Sequence, residues 1–266
     1  MSAPTLDTVN RPAAWSVGEI RDLVRSEFRK TRSTSTWWAL LIPAAVISLL
    51  LAWNSAKEGY LAANLAQALD FAILFATLFG ALYATAEYRH NTIVTSYLNA
   101  ARRPKLAVAQ MILAALVGVV YGLVSVVAGF GGLLLSRTGF DGDLPWVLTV
   151  SAGSLPLFAL WAVVGVGVGM LLRSQAVAVL AVLLYTMLIE NVAVYLASDS
   201  PVLDKITDYL PRVATAYALS GFTGGEQFGG TFGVAHAWWL MLLVVAGYAA
   251  VAMLVGIAAV RRRDLT

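Results

Sequence analysis

The stretch AEYRHNTIVTSYLNAARRPK, residues 86–105, is a long polar interruption between two strongly apolar runs. It opens with acidic, aromatic and basic side chains at Glu87, Tyr88 and Arg89, and the basic cluster RRPK at 102–105 closes it. A half-apolar segment lies between the two ends. Mixed charge around apolar anchors is typical of a protein interface with an apolar centre and a polar rim. In so hydrophobic a chain, we expect this stretch to face a partner protein.

The apolar runs predict a membrane protein. Of the 266 residues, 59% are hydrophobic and 12% are charged, whereas soluble domains have roughly 45–50% and about 25%. Six apolar blocks are long enough to cross a bilayer as helices, which takes about 20 residues. Their predicted bounds are 37–53, 65–86, 106–135, 147–172, 175–197 and 237–260. We therefore expect an all-α integral membrane protein with six transmembrane helices in one domain, residues 33–260.

Residues 15–32 predict an amphipathic helix that lies in the membrane interface. Ser16 and Glu19 fit a capping box, and apolar side chains then recur at helical spacing opposite a basic face. Such a helix directly before a span is typical of interfacial segments, although an ordinary soluble amphipathic helix is the alternative. The polar, aperiodic residues 1–14 are predicted to be a mobile cytosolic tail, and 261–266 form a second tail.

The distribution of basic residues predicts the orientation. Cytoplasmic segments of membrane proteins carry an excess of Lys and Arg. With both termini inside the cell (N-in/C-in), only four of the 18 Lys and Arg residues face outward, namely Lys57, Arg137, Lys205 and Arg212. We therefore expect a multi-pass protein of the cell inner (plasma) membrane. The basic residues are explained by this topology, so no nucleic-acid partner is expected.

The longest outer segment, residues 198–236, is predicted to contain short helices. Ser200 and Pro201 fit an N-cap followed by the first helical position, and a second short helix is expected at about 213–219. Both segments carry apolar stripes. We expect them to dip into the outer membrane interface.

Two carboxylates lie inside the apolar blocks. Asp70 and Glu190, the latter followed by Asn191, have similar predicted depths in the outer leaflet. A charge at the bilayer centre costs about 2.5–3.5 kcal/mol on insertion scales, so such residues usually face a cavity or a partner. One hypothesis is that the three residues line a shared outward pathway, which would favour a cationic amphiphile as substrate. The alternative is that they are hydrated at the level of the lipid headgroups.

Small residues in the third and fourth blocks predict close helix packing. They recur at intervals of three and four residues, which places them on one helix face and lets another backbone approach. The positions are Gly118, Gly122, Ser125, Gly129, Gly132, Gly165 and Gly169. We interpret them as packing seams.

The sequence contains no recognisable catalytic constellation. His90 and His236 lie on opposite sides of the predicted membrane, so they cannot share a metal site, and the chain has no cysteine. No glycine is followed by lysine, which excludes a P-loop. We therefore expect no enzyme activity, no metal and no bound cofactor in this chain, and any ATPase must be a separate subunit.

The string EYRHNTI at 87–93 resembles the type-2 ABC-transporter permeases. The same resemblance extends to the six spans, the amphipathic N-terminal helix, the basic cluster at 102–105, the helical outer loop and the terminal RRRDL, so that it covers nearly the whole chain. The string itself is moderately specific. Members of that family often have glycine where this chain has Asn91, a residue that tolerates a left-handed backbone better than most.

The resemblance implies that residues 86–105 form a coupling helix that docks onto an ABC ATPase subunit. The implied contact residues are Glu87, Tyr88, Arg89, His90, Asn91, Thr92 and Ile93. Two permeases, identical or related, would assemble with two ATPases that hold the ATP and Mg. The complex would then export an amphiphilic, lipid-like, drug or peptide substrate between the permeases. An ion-gradient-driven secondary transporter and a membrane scaffold are the alternatives.

Overall fold

A computed structural model of the protein describes residues 17–55, 60–89, 103–136, 144–197, 200–223 and 237–262. These ranges are helical and contain no strand. The helices are α1 (Val17–Ser33), α2 (Thr36–Ser55), α3 (Leu61–Arg89), α4 (Arg103–Leu135), α5 (Leu144–Leu172), α6 (Gln175–Leu184), α7 (Glu190–Ala197), α8 (Pro201–Thr207), α9 (Pro211–Ser220) and α10 (Trp238–Arg262). A π-helical segment, Tyr185–Ile189, joins α6 to α7 without a break.

Six of these helical stretches are long and apolar enough to cross a membrane, which confirms the predicted fold class. We number them in chain order. Spans one, two, three, four and six are α2, α3, α4, α5 and α10, and span five is α6, the π-helical segment and α7 together. The short helices predicted between spans five and six are also present, as α8 and α9. The N-in/C-in orientation stays a prediction.

The predicted start of span two differs from the structure by one helical turn. Span two begins at Leu61 rather than at 65, because the bundle buries Leu61, Ala62 and Ala63 and thereby tolerates the half-buried polar side chain of Asn64. The amphipathic helix is described from Val17 onward. Ser16 of the predicted capping box lies outside the described residues, as do the two predicted tails except for the last turn of α10.

Spans two and four form the centre of the bundle. A Cβ atom added at Gly165 would overlap the carbonyl oxygen of Thr77, and one at Gly80 would overlap that of Ala162. At Gly169 it would lie 2.7 Å from the carbonyl oxygen of Ala81. The two backbones are therefore in direct contact, which side chains larger than hydrogen at these glycines would prevent.

The small-residue face of span three packs within the same chain. A Cβ at Gly118 would lie 2.6 Å from the carbonyl oxygen of Phe158 in span four, whereas one at Gly132 would overlap the carbonyl oxygen of Leu49 in span one. One half of the face therefore contacts span four and the other half contacts span one. The predicted packing seams are confirmed, and they are occupied inside one subunit.

The helix α9 lies deeper than predicted. Instead of resting in the interface, it is buried from Val213 to Ser220 and packs against spans two, four and six. Its small side chains, Ala214, Ala216 and Ala218, allow this close approach. The preceding helix α8 keeps apolar side chains such as Val202 exposed, as expected for an interfacial segment.

The glycine contacts predict a position-specific loss of stability. Replacing Gly165→Ala should lower the free energy of unfolding by about 1–3 kcal/mol, the usual cost of an extra methyl group in a packed core. Gly247→Ala is the matched control because nothing lies within 4 Å of a Cβ at that position. Unfolding of the purified chain in a sodium dodecyl sulfate titration would measure both. Equal stabilities of the two variants would contradict the backbone contact.

Candidate functional site

The predicted contact stretch begins inside span two. Glu87, Tyr88 and Arg89 form the last turn of α3, whereas His90, Asn91, Thr92 and Ile93 lie outside the described residues. The helix of span two has 29 residues and is thus about 43 Å long at 1.5 Å per residue. The hydrocarbon core is about 30 Å thick. Span two must therefore tilt or extend beyond the membrane.

The amphipathic helix α1 is bonded to both helices that flank this stretch. The hydroxyl of Tyr83, near the end of span two, donates a hydrogen bond to the Glu27 carboxylate, and both residues are buried. At the start of span three, the ammonium group of Lys105 forms an ion pair with Glu19. The Lys105 side chain is only 4% exposed, so the pair is not an ordinary surface contact. Helix α1 is thereby bonded to the end of span two and to the start of span three, which we call the two stems of residues 86–105.

Sequence reasoning did not identify these two ties. From the sequence, Lys105 is only one member of the basic cluster at 102–105, and Glu27 is one acidic residue of the amphipathic helix. A signal was present, since Glu27 and Thr31 fall on the same helical stripe as Ile20 and Val24. A carboxylate at an apolar position of an amphipathic helix needs a partner when it is buried.

At the other end of the bundle, Glu190 caps the buried helix α9. Its Oε1 atom accepts a hydrogen bond from the backbone N–H of Arg212 at 2.7 Å and another from that of Val213 at 3.3 Å. The first N–H groups of a helix lack partners within the helix, and Leu210 at the N-cap position supplies no side-chain acceptor. A carboxylate from span five supplies it instead, where the helix dipole also favours negative charge.

The side chain of Arg212 connects α9 to two spans. Its Nη2 atom lies 3.0 Å from Oδ2 of Asp70 in span two, and its Nη1 atom donates to the carbonyl oxygen of Thr186 in span five at 3.2 Å. The guanidinium also lies over the ring of Phe71, 5.7 Å from its centroid. We call Asp70, Glu190, Thr186 and Arg212 the arginine cluster.

The π-helical segment of span five makes the Thr186 carbonyl available. The backbone N–H of Glu190 donates to Tyr185, five residues back, and not to Thr186, as it would in an α-helix. Such π-bulges occur frequently at functional sites. Here the bulge provides a backbone acceptor for Arg212 within the membrane-spanning part of the chain.

The arginine cluster contains more acid than base. The guanidinium pairs with Asp70, whereas Glu190 is bonded to backbone N–H groups of α9. The second oxygen of each carboxyl group, Asp70 Oδ1 and Glu190 Oε2, is buried without a hydrogen-bond partner among the described residues. Asp70 and Glu190 therefore share a cluster, as their predicted depths indicated. Asn191 does not join it, because its amide donates to the carbonyl oxygen of Met187 on an exposed face. Whether any of the three lines a pathway stays a prediction.

The role of Arg212 in this cluster is also not evident from the sequence. The distribution of basic residues treats Arg212 only as an outward-facing charge, and its side chain is 22% exposed in the structure. Two intramembrane carboxylates without an intramembrane cation were a signal, since buried charges are normally paired. Pro211 marks the helix start directly before it, which would have placed Arg212 in the first turn of α9.

The arginine cluster predicts a non-additive effect of substitutions on stability. Replacing Arg212→Met should lower the free energy of unfolding by about 3–5 kcal/mol, because Asp70 would remain buried and unpaired. The double variant Asp70→Leu with Arg212→Met should recover much of that loss. The exposed Lys205→Met in α8 is the control. A double variant as unstable as Arg212→Met alone, in the same titration, would contradict the pairing.

The arginine cluster borders a large apolar cavity. The cavity lies between spans two, four, five and six and measures about 710 Å³. A much smaller void of about 20 Å³ lies beside it and is lined by Asp70 and Arg212. Thr77, Trp161 and Thr186 line both spaces. The indole N–H of Trp161 donates a hydrogen bond to the hydroxyl oxygen of Thr215 in α9, at 2.8 Å.

Comparison with known families gives one match. A family model described as ABC-2 family transporter protein matches residues 23–189, more than half of the chain. The matched region runs from α1 through spans one to four to the end of the π-helical segment. No curated protein matches the sequence.

Proposed function

Because the chain belongs to the ABC-2 transporter family, we propose that it is the permease subunit of an ATP-driven exporter. Permeases of this family are the membrane components of ABC transporters and work with ABC ATPase partners, so the permease domain is not itself the catalytic part. The ATPase, with its ATP and Mg, is a separate chain. The proposed location is the plasma membrane, with both termini inside the cell as the distribution of basic residues favours.

The ties between α1 and the two stems are the observation that supports the coupling role. Residues Glu87 to Ile93 dock onto the ATPase subunit. When ATP closes the ATPases, the stretch 86–105 moves with them. Tyr83 and Lys105 are both bonded to α1, so spans two and three follow as one unit and do not swing independently.

Span two then carries the displacement across the membrane. It is one uninterrupted helix from Leu61 to Arg89, and its backbone contacts span four at Gly80. Asp70 lies on the same helix and binds Arg212. A shift of span two at the ATPase end therefore displaces Asp70 relative to the rest of the arginine cluster at the other end, where Asp70 binds Arg212 of α9.

The substrate leaves between two permease subunits, this chain and a second copy or a related permease. The acid excess of the arginine cluster favours a cationic amphiphile over an anionic polymer. In an ion-gradient-driven transporter, carboxylates in the membrane bind the coupling ion. Here one oxygen of Asp70 and one of Glu190 are already bonded to Arg212, which favours the ATP-driven alternative.

The coupling role predicts that residues 87–93 are required for ATPase binding. The tagged chain should be isolated from its native membranes, with the bound P-loop ATPase identified by mass spectrometry and its ATP hydrolysis measured. Replacing 87–93 by a glycine–serine segment of equal length should remove both the ATPase and the ATP-dependent efflux. The same replacement at 224–230, a segment predicted to lie on the outer side of the membrane, should leave both intact.

Two outcomes would contradict the proposed function. If the chain with 87–93 replaced still binds the ATPase and drives efflux at the original rate, this stretch is not the coupling element. If the purified chain alone transports in an ion gradient, the ATP-driven assignment fails.

A further inference from the structure

The apolar cavity beside the arginine cluster has the size of a ligand site. Its volume of about 710 Å³ falls within the roughly 300–1,000 Å³ of small-molecule pockets. Its back wall is formed by buried side chains, among them Trp161, Val182 and Thr186. Most of the remaining wall is aliphatic. Such a wall offers dispersion contacts to an alkyl chain and few hydrogen bonds to water.

The cavity opens sideways between spans five and six. The exposed residues that border it belong mainly to these two spans, namely Leu171, Leu184, Ile189, Tyr248, Val251 and Val255. In a membrane, exposed side chains of spanning helices face lipid or another subunit. A ligand therefore has a lateral entry that is mostly aliphatic, with the hydroxyl group of Tyr248 as its polar exception, which disfavours a strongly hydrated solute.

An unsatisfied acidic group lies next to the cavity, in a small void that Thr77, Trp161 and Thr186 separate from it. The neighbouring small void is large enough for about one water molecule. Asp70 lines this void, its side chain is only 7% exposed, and its Oδ1 atom has no hydrogen-bond partner among the described residues. The guanidinium of Arg212 pairs with Asp70, whereas Glu190 is held by the backbone N–H groups of Arg212 and Val213, so the cluster contains two acids and one base at this end.

We propose that a single-chain alkylammonium amphiphile binds in this cavity, with its chain along the apolar walls and its ammonium group beside Asp70. The polar end lies where α9 enters the bundle, and the apolar walls extend toward the middle of spans five and six. A bound amphiphile is thus oriented like a lipid of the adjacent leaflet. As a substrate site the cavity depends on the proposed exporter function, whereas its occupancy by the amphiphile does not.

The orphaned carboxylate oxygen determines the preferred headgroup. A primary ammonium can donate an N–H to Asp70 Oδ1, whereas a quaternary ammonium cannot. Hydrogen bonds to charged groups are the stronger ones in proteins. Dodecylammonium should therefore bind about tenfold more tightly than dodecyltrimethylammonium, and dodecyl sulfate should bind more weakly than either.

Photolabelling of the full-length chain tests the site directly. The purified chain, in nanodiscs of phosphatidylcholine and without an ATPase, is irradiated with dodecylammonium that carries a diazirine in its chain. Labelled peptides are mapped by mass spectrometry, with the three unlabelled amphiphiles as competitors. Label is expected within 161–171, 181–189 and 248–255, with competition in the order just given.

Two tryptophan variants on the same helix locate the alkyl chain. Ala181 lines the cavity. The indole ring of Ala181→Trp should occupy the space of the alkyl chain and lower specific labelling at least about tenfold. Val177→Trp is the matched control, since Val177 lies on α6, is 50% exposed and does not line the cavity. It should label like the unmodified chain.

Two charge variants locate the headgroup. Glu190→Gln keeps the ion pair of Asp70 with Arg212 and the orphaned Asp70 Oδ1 atom but removes one of the two acids, so the preference for dodecylammonium over dodecyl sulfate should become smaller. Adding Asp70→Asn leaves Arg212 as the single charge, and the preference should invert. Thermal unfolding of each variant establishes that the bundle is intact.

The same labelling in a second lipid distinguishes a membrane lipid from a free amphiphile as the ligand. In discs of phosphatidylethanolamine, whose headgroup carries a primary ammonium, loss of the label means that a membrane aminolipid occupies the site. Retention of the label means that a free amphiphile does.

The proposal is overturned if labelling is spread over the exposed faces of all spans without competition. It is also overturned if Ala181→Trp and Val177→Trp label equally, or if the charge variants leave the competitor order unchanged. None of these results bears on ATPase binding. If the chain isolated from its native membranes carries no ATPase but still binds the amphiphile, the exporter function is refuted and the site is kept.

Discussion

The close contact between the backbones of spans two and four is the constraint on which the rest of the structure depends. At Gly80 and Gly165 even a methyl group would overlap a carbonyl oxygen of the other helix, so the two spans move as one body. Span two alone reaches from Asp70 to Glu87, about 25 Å along the helix axis. A rigid element of this kind can connect events at one membrane surface to a polar cluster near the other.

The groups of the arginine cluster need one another because the bilayer core contains no water to form hydrogen bonds with them. A helix start, a guanidinium and two carboxyl groups would each be unfavourable there alone. Together they satisfy one another, because Glu190 caps α9 and Asp70 pairs with Arg212. The π-helical segment adds a free carbonyl at Thr186. The acidic group that remains unsatisfied lies beside one end of the adjacent cavity, so that end differs chemically from the apolar walls.

Composition and spacing were sufficient to predict the spans and the glycine seams, because both depend on properties of neighbouring residues along one helix. They also indicated the amphipathic α1 and the short outer helices. The pairing of Arg212 was not predictable in this way, since it depends on the insertion of α9 between distant spans. The rule that assigns orientation counts every arginine as a topological charge, which concealed this one. The ties of Glu27 and Lys105 to the stems are likewise tertiary contacts.

The central claim is that displacement at residues 87–93 reaches the opposite membrane surface through span two. The chain contains no cysteine, so spin labels can be placed at Trp146→Cys in span four, which moves with span two, and at Tyr195→Cys in span five, both exposed. Double electron–electron resonance should show a change in this distance when the bound ATPase is trapped with ATP. The change should vanish when 87–93 are replaced. An unchanged distance during ATP-driven efflux would contradict the account.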